Sequence, residues 1–275
     1  MHGIKSSTIS NLTLTAYSTM RYDFVFVVLV YRNTKDLKDF FANMNIPNAK
    51  VIVVNSYYDE ATKASFEQIA TDNGADFLNV ENKGYGYGNN RGCEYAISHY
   101  DFKYLVISNA DIEIQHMDIS QLSDQHITAP KIVTLSGKRQ NPYLPYLIMP
   151  YERMKHTLIK RKSRLTVLCW ALSRIMREAY LLFHRRGYVF SAHGAFFIIP
   201  SDILRTLHPL YNERMFLFVE EEHVAMLAKE KNISIYYDSS IVIKHKEDGS
   251  VSFLKDSNSI METSYMEFYR YWFER

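Results

Sequence analysis

The sequence has 275 residues, of which 47% are hydrophobic and 23% are charged. It therefore predicts a folded globular protein with a large core and excludes an intrinsically disordered chain. The net charge of +2 selects no class of partner by itself. The two cysteines, Cys93 and Cys169, match neither a zinc-binding spacing nor a disulfide framework, which suits a reducing compartment.

The chain has no recognisable targeting or spanning segment. No apolar run approaches the ~20 residues that a membrane-spanning helix needs. The N-terminus lacks a basic stretch followed by an apolar one, as a signal peptide would have. Residues 1–19 are rich in Ser and Thr and are interpreted as a loose leader. The protein is expected to be cytoplasmic, on the inner face of the cell membrane if it contacts one.

The first third of the chain alternates apolar runs with helical segments. Strands are predicted at residues 24–30, 51–54 and 76–80, with helices between them at 35–44 and 60–73. Such near-continuous apolar strands are buried on both faces, as in a parallel sheet. The order predicts a doubly wound α/β domain, whose ligands bind beyond the carboxyl ends of its strands.

Two motifs follow in the same region. Four glycines and three asparagines within residues 82–92 predict a loop that opens a helix at 93–99; a ligand-framing loop and a plain connection both fit. Its spacing is neither that of a P-loop nor that of a dinucleotide fingerprint. A further strand, 104–108, leads into Asn109 and Asp111, where an acid could hold a divalent cation or simply close an Asx turn.

A basic stretch distinguishes the middle of the chain. Between residues 153 and 186, ten Lys or Arg are interleaved with apolar residues and Trp170. This pattern is typical of an amphipathic helix on an anionic membrane. A core helix with a basic outer face and a nucleic-acid patch are the alternatives. No nucleic-acid module is recognisable, so no nucleic-acid partner is expected.

The last third carries a run of acids. A strand at 192–199 is entered through a tight turn at His193-Gly194, and strands are predicted at 233–237 and 241–245. Between them, Glu220, Glu221 and Glu222 precede a helix predicted at 224–231. Acids are favoured in a first helical turn, so a solvated helix start is the alternative to a functional site.

Taken in order, these stretches resemble the family 2 glycosyltransferases, in particular the branch that builds bacterial surface polysaccharides and includes the rhamnosyltransferases. The resemblance covers about residues 24–250. The matching residues are Asn82, Gly84, Gly86, Gly88, Asn90 and Gly92 in the glycine motif, Ser108 to Asp111 in the metal motif, Pro130, Lys131 and Gly137, residues 211–221, and His245 with Ser250.

The resemblance implies an α/β fold of the GT-A type, with a Rossmann-like, mostly parallel central sheet flanked by helices. The glycosyltransferase domain would span residues 20–250. A basic helical, membrane-facing segment would be inserted at 153–188, and an aromatic helical tail would occupy 251–275.

The chemistry that it implies is inverting transfer of a sugar from a nucleotide-diphosphate donor to a glycan, lipid-linked in this branch, for capsule, O-antigen or another surface polysaccharide. Asp111 and His245 would hold Mg²⁺ or Mn²⁺, and Glu221, with Glu220 in reserve, would be the catalytic base. The expected donor-binding residues are Tyr31, Asn33, Asn55, Asp59, Asn82, Gly84, Gly86, Gly88, Asn90, Asn109, His193 and Gly194.

The chain departs from the family pattern in the acid run. The family's Glu-Asp pair is Glu220-Glu221 here, and His223 stands where a further acid is usual. These departures keep open a catalytically inactive homologue that binds a nucleotide-sugar or a membrane. A sugar nucleotidyltransferase is the third alternative, although such enzymes carry a basic glycine-rich loop where this chain has Tyr31-Arg32-Asn33.

Overall fold

The computed structural model describes residues 21–247 and 256–274. The loose leader, Ser250 and the start of the predicted tail lie outside these ranges. The strands are β1 (Arg21–Val30), β2 (Ala49–Ser56), β3 (Asp76–Val80), β4 (Asp101–Asn109), β5 (Ile112–His116), β6 (His126–Thr134), β7 (Arg186–Val189), β8 (Phe196–Pro200) and β9 (Ser234–His245). The helices are α1 (Thr34–Asn43), α2 (Glu60–Asp72), α3 (Tyr85–His99), α4 (Met149–Lys160), α5 (Thr166–Phe183), α6 (Ser201–Leu207), α7 (Glu220–Glu230) and α8 (Ser257–Phe273).

The described strands form one sheet in the order β3-β2-β1-β4-β8-β6-β9-β5, with β7 paired to β9. The predicted central sheet flanked by helices is confirmed, and β1 to β4 are parallel neighbours. The other half is mixed, because β5, β7 and β8 run antiparallel to their neighbours. Strands β6 and β9 nevertheless run in the same direction as β1 to β4, so six of the nine described strands are parallel and the expectation of a mostly parallel sheet is confirmed. Antiparallel strands need no crossover helix, so these short strands can add to the edge of the parallel half.

The core lies on both faces of the sheet. Alternate residues of β1 point to opposite sides, and every residue from Phe24 to Val28 is at most 1% exposed. Val25 and Val27 pack toward α3, α6 and α7, whereas Phe24, Phe26 and Val28 pack toward α1 and α2. The prediction of a strand buried on both faces is confirmed.

The glycine-rich stretch was predicted to be a loop as far as Gly92, and this is wrong, because α3 begins at Tyr85. Its glycines let the helix approach the sheet. A Cβ on Gly88 would lie 2.4 Å from the Cδ1 of Leu29, and one on Gly92 would lie 2.3 Å from the Cγ1 of Val27. Sequence patterns did not reveal the helix because glycine and asparagine disfavour helices and nothing local compensates. Tertiary packing decides its conformation.

We expect Gly92→Ala to destabilise the protein by about 1–3 kcal/mol, since an added methyl group overpacks the contact between α3 and the sheet. Chemical denaturation would measure the loss. Ser98→Ala, on the exposed face of the same helix, is the control and should change stability by less than about 0.5 kcal/mol. Equal stability of the glycine variant and the wild type would contradict tight packing at this position.

Several boundaries also differ from the predictions. The strands predicted at 233–237 and 241–245 are one strand, β9, whose pairing with β6 shifts register in the middle. The strand predicted at 192–199 begins only at Phe196. Helix α7 includes the three acids instead of following them. The basic segment is helical, in α4 and α5, and the tail is helical in α8, but no described helix is long and apolar enough to cross a bilayer.

Candidate active site

A cavity of about 1140 Å³ opens beyond the carboxyl ends of β1 and β4. This is the edge at which the βαβ order places a ligand. The predicted site residues that line it are Tyr31, Asn33, Asn109, Asp111, His193, Gly194, Glu220, Glu221 and His245. Residues from five separate parts of the chain therefore meet in one space.

The other predicted donor residues do not line this cavity: Asn55, Asp59, Asn82, Gly84, Gly86, Gly88 and Asn90. Three of them have structural partners. Asn55 donates to the Oδ1 of Asn79, Asp59 caps α2 by accepting from the backbone N–H of Thr62, and Asn90 exchanges two hydrogen bonds with the backbone of Tyr211. Their role in donor binding stays a prediction.

Asp111 and His245 meet on one wall of the cavity. Strands β5 and β9 pair with Ile112 opposite His245, so the turn after β4 brings Asp111 beside the imidazole. The His245 Nε2 lies 3.3 Å from the Asp111 Oδ1. The His245 Nδ1 lies 2.7 Å from the Gln140 Oε1, which accepts because the amide nitrogen of Gln140 donates to Glu247. The Nδ1 therefore donates to Gln140, and the Nε2 faces the carboxylate of Asp111.

This pair fits a divalent cation. Asp111 is 4% exposed, and its second oxygen, Oδ2, is buried without a hydrogen-bond partner. A buried, unpaired carboxylate oxygen is costly unless a cation or another donor satisfies it. Among the described residues no group of three or more His, Cys, Asp or Glu could hold a metal ion. Asp111 and His245 could therefore supply two ligands, with other positions left for a bound molecule or water.

The charges that line the cavity are all of one sign. Its described lining contains no Lys or Arg, and its carboxylates are Asp36, Asp111, Glu220, Glu221, Glu222, Glu247 and Glu262. An anionic ligand such as a diphosphate would meet strong repulsion there unless a cation accompanied it. The lining is thus suited to neutral groups, to cations and to anions that carry a metal ion.

The acid run is held by a strained turn. Phe218 and Val219 adopt left-handed backbone conformations, with φ of 74° and 71°, directly before α7 begins at Glu220. Such conformations cost about 1–3 kcal/mol each in residues other than glycine and are concentrated at functional sites. Ser264 of α8 donates to the carbonyl of Leu217 and so helps to fix the turn. The result is that three acids share the N-terminal turn of α7.

The first two acids differ in their surroundings. Glu221 is half-buried, and its Oε1 accepts a hydrogen bond of 3.2 Å from the backbone N–H of Gly194. Glu220 is 4% exposed, and its Oε1 has no partner. Burial raises the pKa of both carboxyls, and for Glu220 the neighbouring Glu221 raises it further. Glu221 is therefore the better placed of the two to meet a ligand in the cavity.

Glu222 has the cation that the other two lack. Lys155 of α4 is 1% exposed, with its Nζ 2.9 Å from Glu152 and 4.0 Å from Glu222. This corrects the prediction that the basic segment as a whole faces a membrane, because one of its cations lies in the core. Burial raises the pKa of Glu222 to about 7, although Lys155 opposes the shift. No local pattern indicates this contact, since Lys155 is one of ten cations in the basic segment.

We expect Glu222 to make the stability of the protein depend on pH. Its folded pKa of about 7 lies above the ordinary 4.5. Its contribution to the free energy of unfolding is therefore full below pH 4.5 and lost as the pH rises through 7, a loss on the order of 3 kcal/mol. Glu222→Gln should lose less stability between pH 5 and pH 8 in urea titrations. Glu230→Gln, at an exposed position on the same helix, should behave as wild type. If the stability of Glu222→Gln depended on pH as steeply as that of wild type, the role of Glu222 would be contradicted.

The segment His193-Gly194 connects the two walls. The His193 ring lies 5.8 Å from that of His245, while the N–H of Gly194 donates to Glu221. The backbone N–H of Ala195 donates to the Nδ1 of His193, so the proton of this imidazole is on Nε2. Desolvation, followed by the charge of His245, lowers the pKa of His193 to about 3. His193 is therefore a neutral donor.

The polar residues that the sequence did not indicate include three that line the cavity or hold its side chains in place. Gln140 orients His245, Tyr85 donates to the carbonyl of Gly194 at 2.8 Å, and Lys155 neutralises the buried acids. Tyr85 lies inside the glycine motif and could have been suspected there. Gln140 lies in a segment without a motif and Lys155 lies in the basic stretch, where nothing distinguishes it from the other cations, so only the fold brings them to the site.

The chain resembles known proteins in sequence and in fold. No family model matches the chain. The chain is 26% identical over 231 residues to the low-salt glycan biosynthesis hexosyltransferase Agl10 of Haloferax volcanii, an alignment that covers 81% of this chain and 67% of that protein.

Two solved structures are also similar. The crystal structure of GalNAc-T7 with UDP, GalNAc and Mn²⁺ matches 90% of this chain with a TM-score of 0.57 and 12% identity. That of S. aureus TarS matches 79% with a TM-score of 0.48 and 14% identity. The chain spans 48% and 36% of their lengths, about half or less. The sheet order, the fold shared with the GalNAc-T7 structure and the similarity to the Haloferax hexosyltransferase together support a glycosyltransferase with the GT-A fold.

Proposed function

We propose that the chain transfers a hexose from a nucleotide-diphosphate donor to a glycan acceptor, with metal assistance and inversion at the anomeric carbon, as a member of family 2. One observation carries the proposal. The unpaired carboxylate of Asp111 beside His245, and the carboxylate of Glu221, line a single cavity and are linked through His193-Gly194. One wall can hold a metal ion and the other can accept a proton.

The donor would lie with its nucleotide at the end of β1. Tyr31 and Asn33 line the cavity there, and Asn109 lines it at the end of β4. Because the lining described has no Lys or Arg, a diphosphate needs a divalent cation to enter. The GalNAc-T7 structure, which contains UDP, GalNAc and Mn²⁺, supports a donor and metal of this class.

Asp111 and His245 would hold Mg²⁺ or Mn²⁺, and the hydrogen bond between Gln140 and the Nδ1 of His245 would orient the imidazole toward the ion. When bound, the ion offsets the charge that develops on the leaving diphosphate. His193, a neutral donor beside His245, can offer its Nε2 proton to an oxygen of the leaving group.

Glu221 would act as the general base. As the acceptor oxygen bonds to the anomeric carbon, its proton passes to the Glu221 carboxylate and the bond from that carbon to the diphosphate oxygen breaks on the opposite face. The hydrogen bond from Gly194 holds the carboxylate in place, and the raised pKa suits proton transfer near neutral pH. Glu220, the more buried of the two, is the reserve candidate.

A screen of nucleotide-sugars with and without Mn²⁺ tests the proposal, with thermal unfolding and donor hydrolysis as two readouts. A true donor at about 100 times its Kd should stabilise the protein by about 2.7 kcal/mol. It should be hydrolysed slowly when Mn²⁺ is present. Stabilisation without hydrolysis or transfer would indicate the inactive binder instead, and stabilisation by no nucleotide-sugar would overturn the proposal.

The acceptor would be lipid-linked, with the protein on the cytoplasmic face of the membrane, in the synthesis of a surface polysaccharide. Helix α5 presents an exposed apolar face, in which Val167, Leu168 and Ile175 are 63–67% exposed. Four exposed cations precede it: Lys160, Arg161, Lys162 and Arg164. Apolar side chains beside cations are suited to an anionic lipid surface.

Neutralising these four cations with Gln should release the protein from anionic vesicles, since each contributes about 1 kcal/mol near such a surface. Co-sedimentation with liposomes that contain phosphatidylglycerol measures the effect. A control variant neutralises four exposed lysines elsewhere: Lys38, Lys103, Lys229 and Lys231. Undiminished binding of the first variant, or equal loss in both, would count against a membrane-facing α5.

A further inference from the structure

Helices α5 and α8 close one end of the cavity. Thr166, Val167 and Trp170 of α5 line it, and so do Asn258, Met261 and Glu262 of α8. The three α8 residues have the spacing i, i+3, i+4 and therefore lie on one face of that helix. Thr166 and Trp170 have the spacing i, i+4 and lie on one face of α5. An ion pair of 3.8 Å joins Lys162, in the connection before α5, to Glu262 of α8.

This end of the cavity is next to the acid run. The Nζ of Lys155 lies 4.0 Å from Glu222 and 5.6 Å from the centre of the Trp170 ring. The buried side chain of Lys155 therefore lies between Trp170 and Glu222, the residue that follows Glu221. A molecule resting on Trp170 would be close to the proposed base, at a distance from the nucleotide end near Tyr31.

The chemistry of the lining is suited to a sugar ring. An indole offers a rigid apolar face to the C–H side of a pyranose, and the amide of Asn258 and the carboxylate of Glu262 can bond to its hydroxyls. A concave site with an aromatic surface and a few polar groups is the usual form of a small-molecule site. Thr166 adds a hydroxyl to the same wall.

The charge of this end limits the sugar further. Glu222 and Glu262 line it, and no Lys or Arg of the described chain does. The nearby Lys155 is already shared by two buried carboxylates, and Lys162 lies outside, with its side chain 80% exposed. An acidic sugar would be repelled here, whereas a neutral or amino sugar would not.

We propose that helices α5 and α8 form the acceptor subsite, in which an uncharged or amino sugar stacks on Trp170 and presents a hydroxyl to Glu221. This acceptor subsite rests on the proposed function, and it specifies the class of acceptor sugar that the same cavity would bind. The α4–α5 segment would then have two roles, one in membrane contact and one in acceptor selection.

The test uses octyl glucoside, octyl glucosaminide and octyl glucuronide as acceptor probes, with the donor found by the screen. Wild type should use the first two and not the glucuronide. Trp170→Ala should raise the acceptor KM by about 3- to 10-fold, because an aromatic contact is lost, with donor hydrolysis unchanged. Trp170→Phe should restore most of the affinity. Tyr188→Ala, which removes an exposed aromatic side chain of β7 outside the cavity lining, is the control and should match wild type.

A charge reversal gives an independent readout. Glu262→Lys should make the glucuronide an acceptor and weaken use of the glucosaminide. Either of two results would overturn the acceptor subsite alone. In the first, donor hydrolysis persists and Trp170→Ala keeps the wild-type acceptor KM. In the second, the wild type prefers the glucuronide. Absence of any donor hydrolysis in wild type would instead overturn the proposed function, so the two failures can be told apart.

Discussion

Glu221→Gln is expected to lower the rate of glycosyl transfer by about 10²- to 10⁴-fold, the usual contribution of a positioned general base. Gln keeps the shape of the side chain and can still accept the hydrogen bond from Gly194, so the donor Kd should not change. Transfer and donor affinity are measured separately, by product formation and by calorimetric titration. A loss in rate without a loss in donor binding identifies the acceptor side of the reaction.

Two further variants decide which acid is the base. Glu220→Gln should reduce the rate less, because Glu220 is buried, with one oxygen unpaired, and so is less accessible to an acceptor than Glu221. Glu230→Gln, exposed at the end of the same helix, should have wild-type rates. If Glu221→Gln retains wild-type transfer while Glu220→Gln loses it, the base is Glu220. The wild-type rate should also fall as the pH drops through the raised pKa of Glu221, because only the carboxylate accepts a proton.

Asp111→Asn is expected to abolish the benefit of Mn²⁺ and to reduce transfer by roughly 10²-fold or more, since a bound cation contributes several kcal/mol to the stabilisation of a leaving diphosphate. The Asn side chain keeps the volume but removes the charge that faces His245. Titration of Mn²⁺ against the protein, with and without nucleotide, measures the weakened binding directly and independently of turnover.

The matched control for this change is Glu113→Gln. Glu113 lies two residues further along, on β5, and its carboxylate is 3.9 Å from the Nζ of Lys244, away from the cavity lining. It should leave metal binding and transfer near wild type. Equal Mn²⁺ affinity in Asp111→Asn and wild type would contradict the metal site, and equal losses in both variants would show a general effect of charge.

Much of the parallel half of the sheet was predictable because its signals are local. Apolar β-branched runs such as 51–54 mark strands buried on both faces, and the βαβ order directs their carboxyl ends to one edge. Asn109 and Asp111 follow one of those strands directly, so their place at the cavity could be expected. The antiparallel strands were less predictable, because short strands such as β7 lack a distinctive pattern.

The helix at the glycine motif shows where local signals fail. Residues 85–92 have poor helix propensity, yet they are helical because Gly88 and Gly92 allow close packing on β1. The same holds for Lys155, which is one cation among ten by sequence but is buried against Glu152 and Glu222 in the folded chain. Burial depends on contacts between distant segments, and no local pattern records them.

The amino-acid sequence by itself determined that this is an α/β protein with a ligand edge, and it selected Asp111, His245, Glu220 and Glu221 as candidate site residues. The fold class follows from hydrophobic periodicity, a property of short segments, and the candidate residues follow from the resemblance of the motifs to the family 2 glycosyltransferases. Only the tertiary structure decided that Asp111 has an unpaired oxygen beside His245, and that Gly194 holds Glu221. Those contacts join residues far apart in the chain, and their distances exist only once the sheet has brought the segments together.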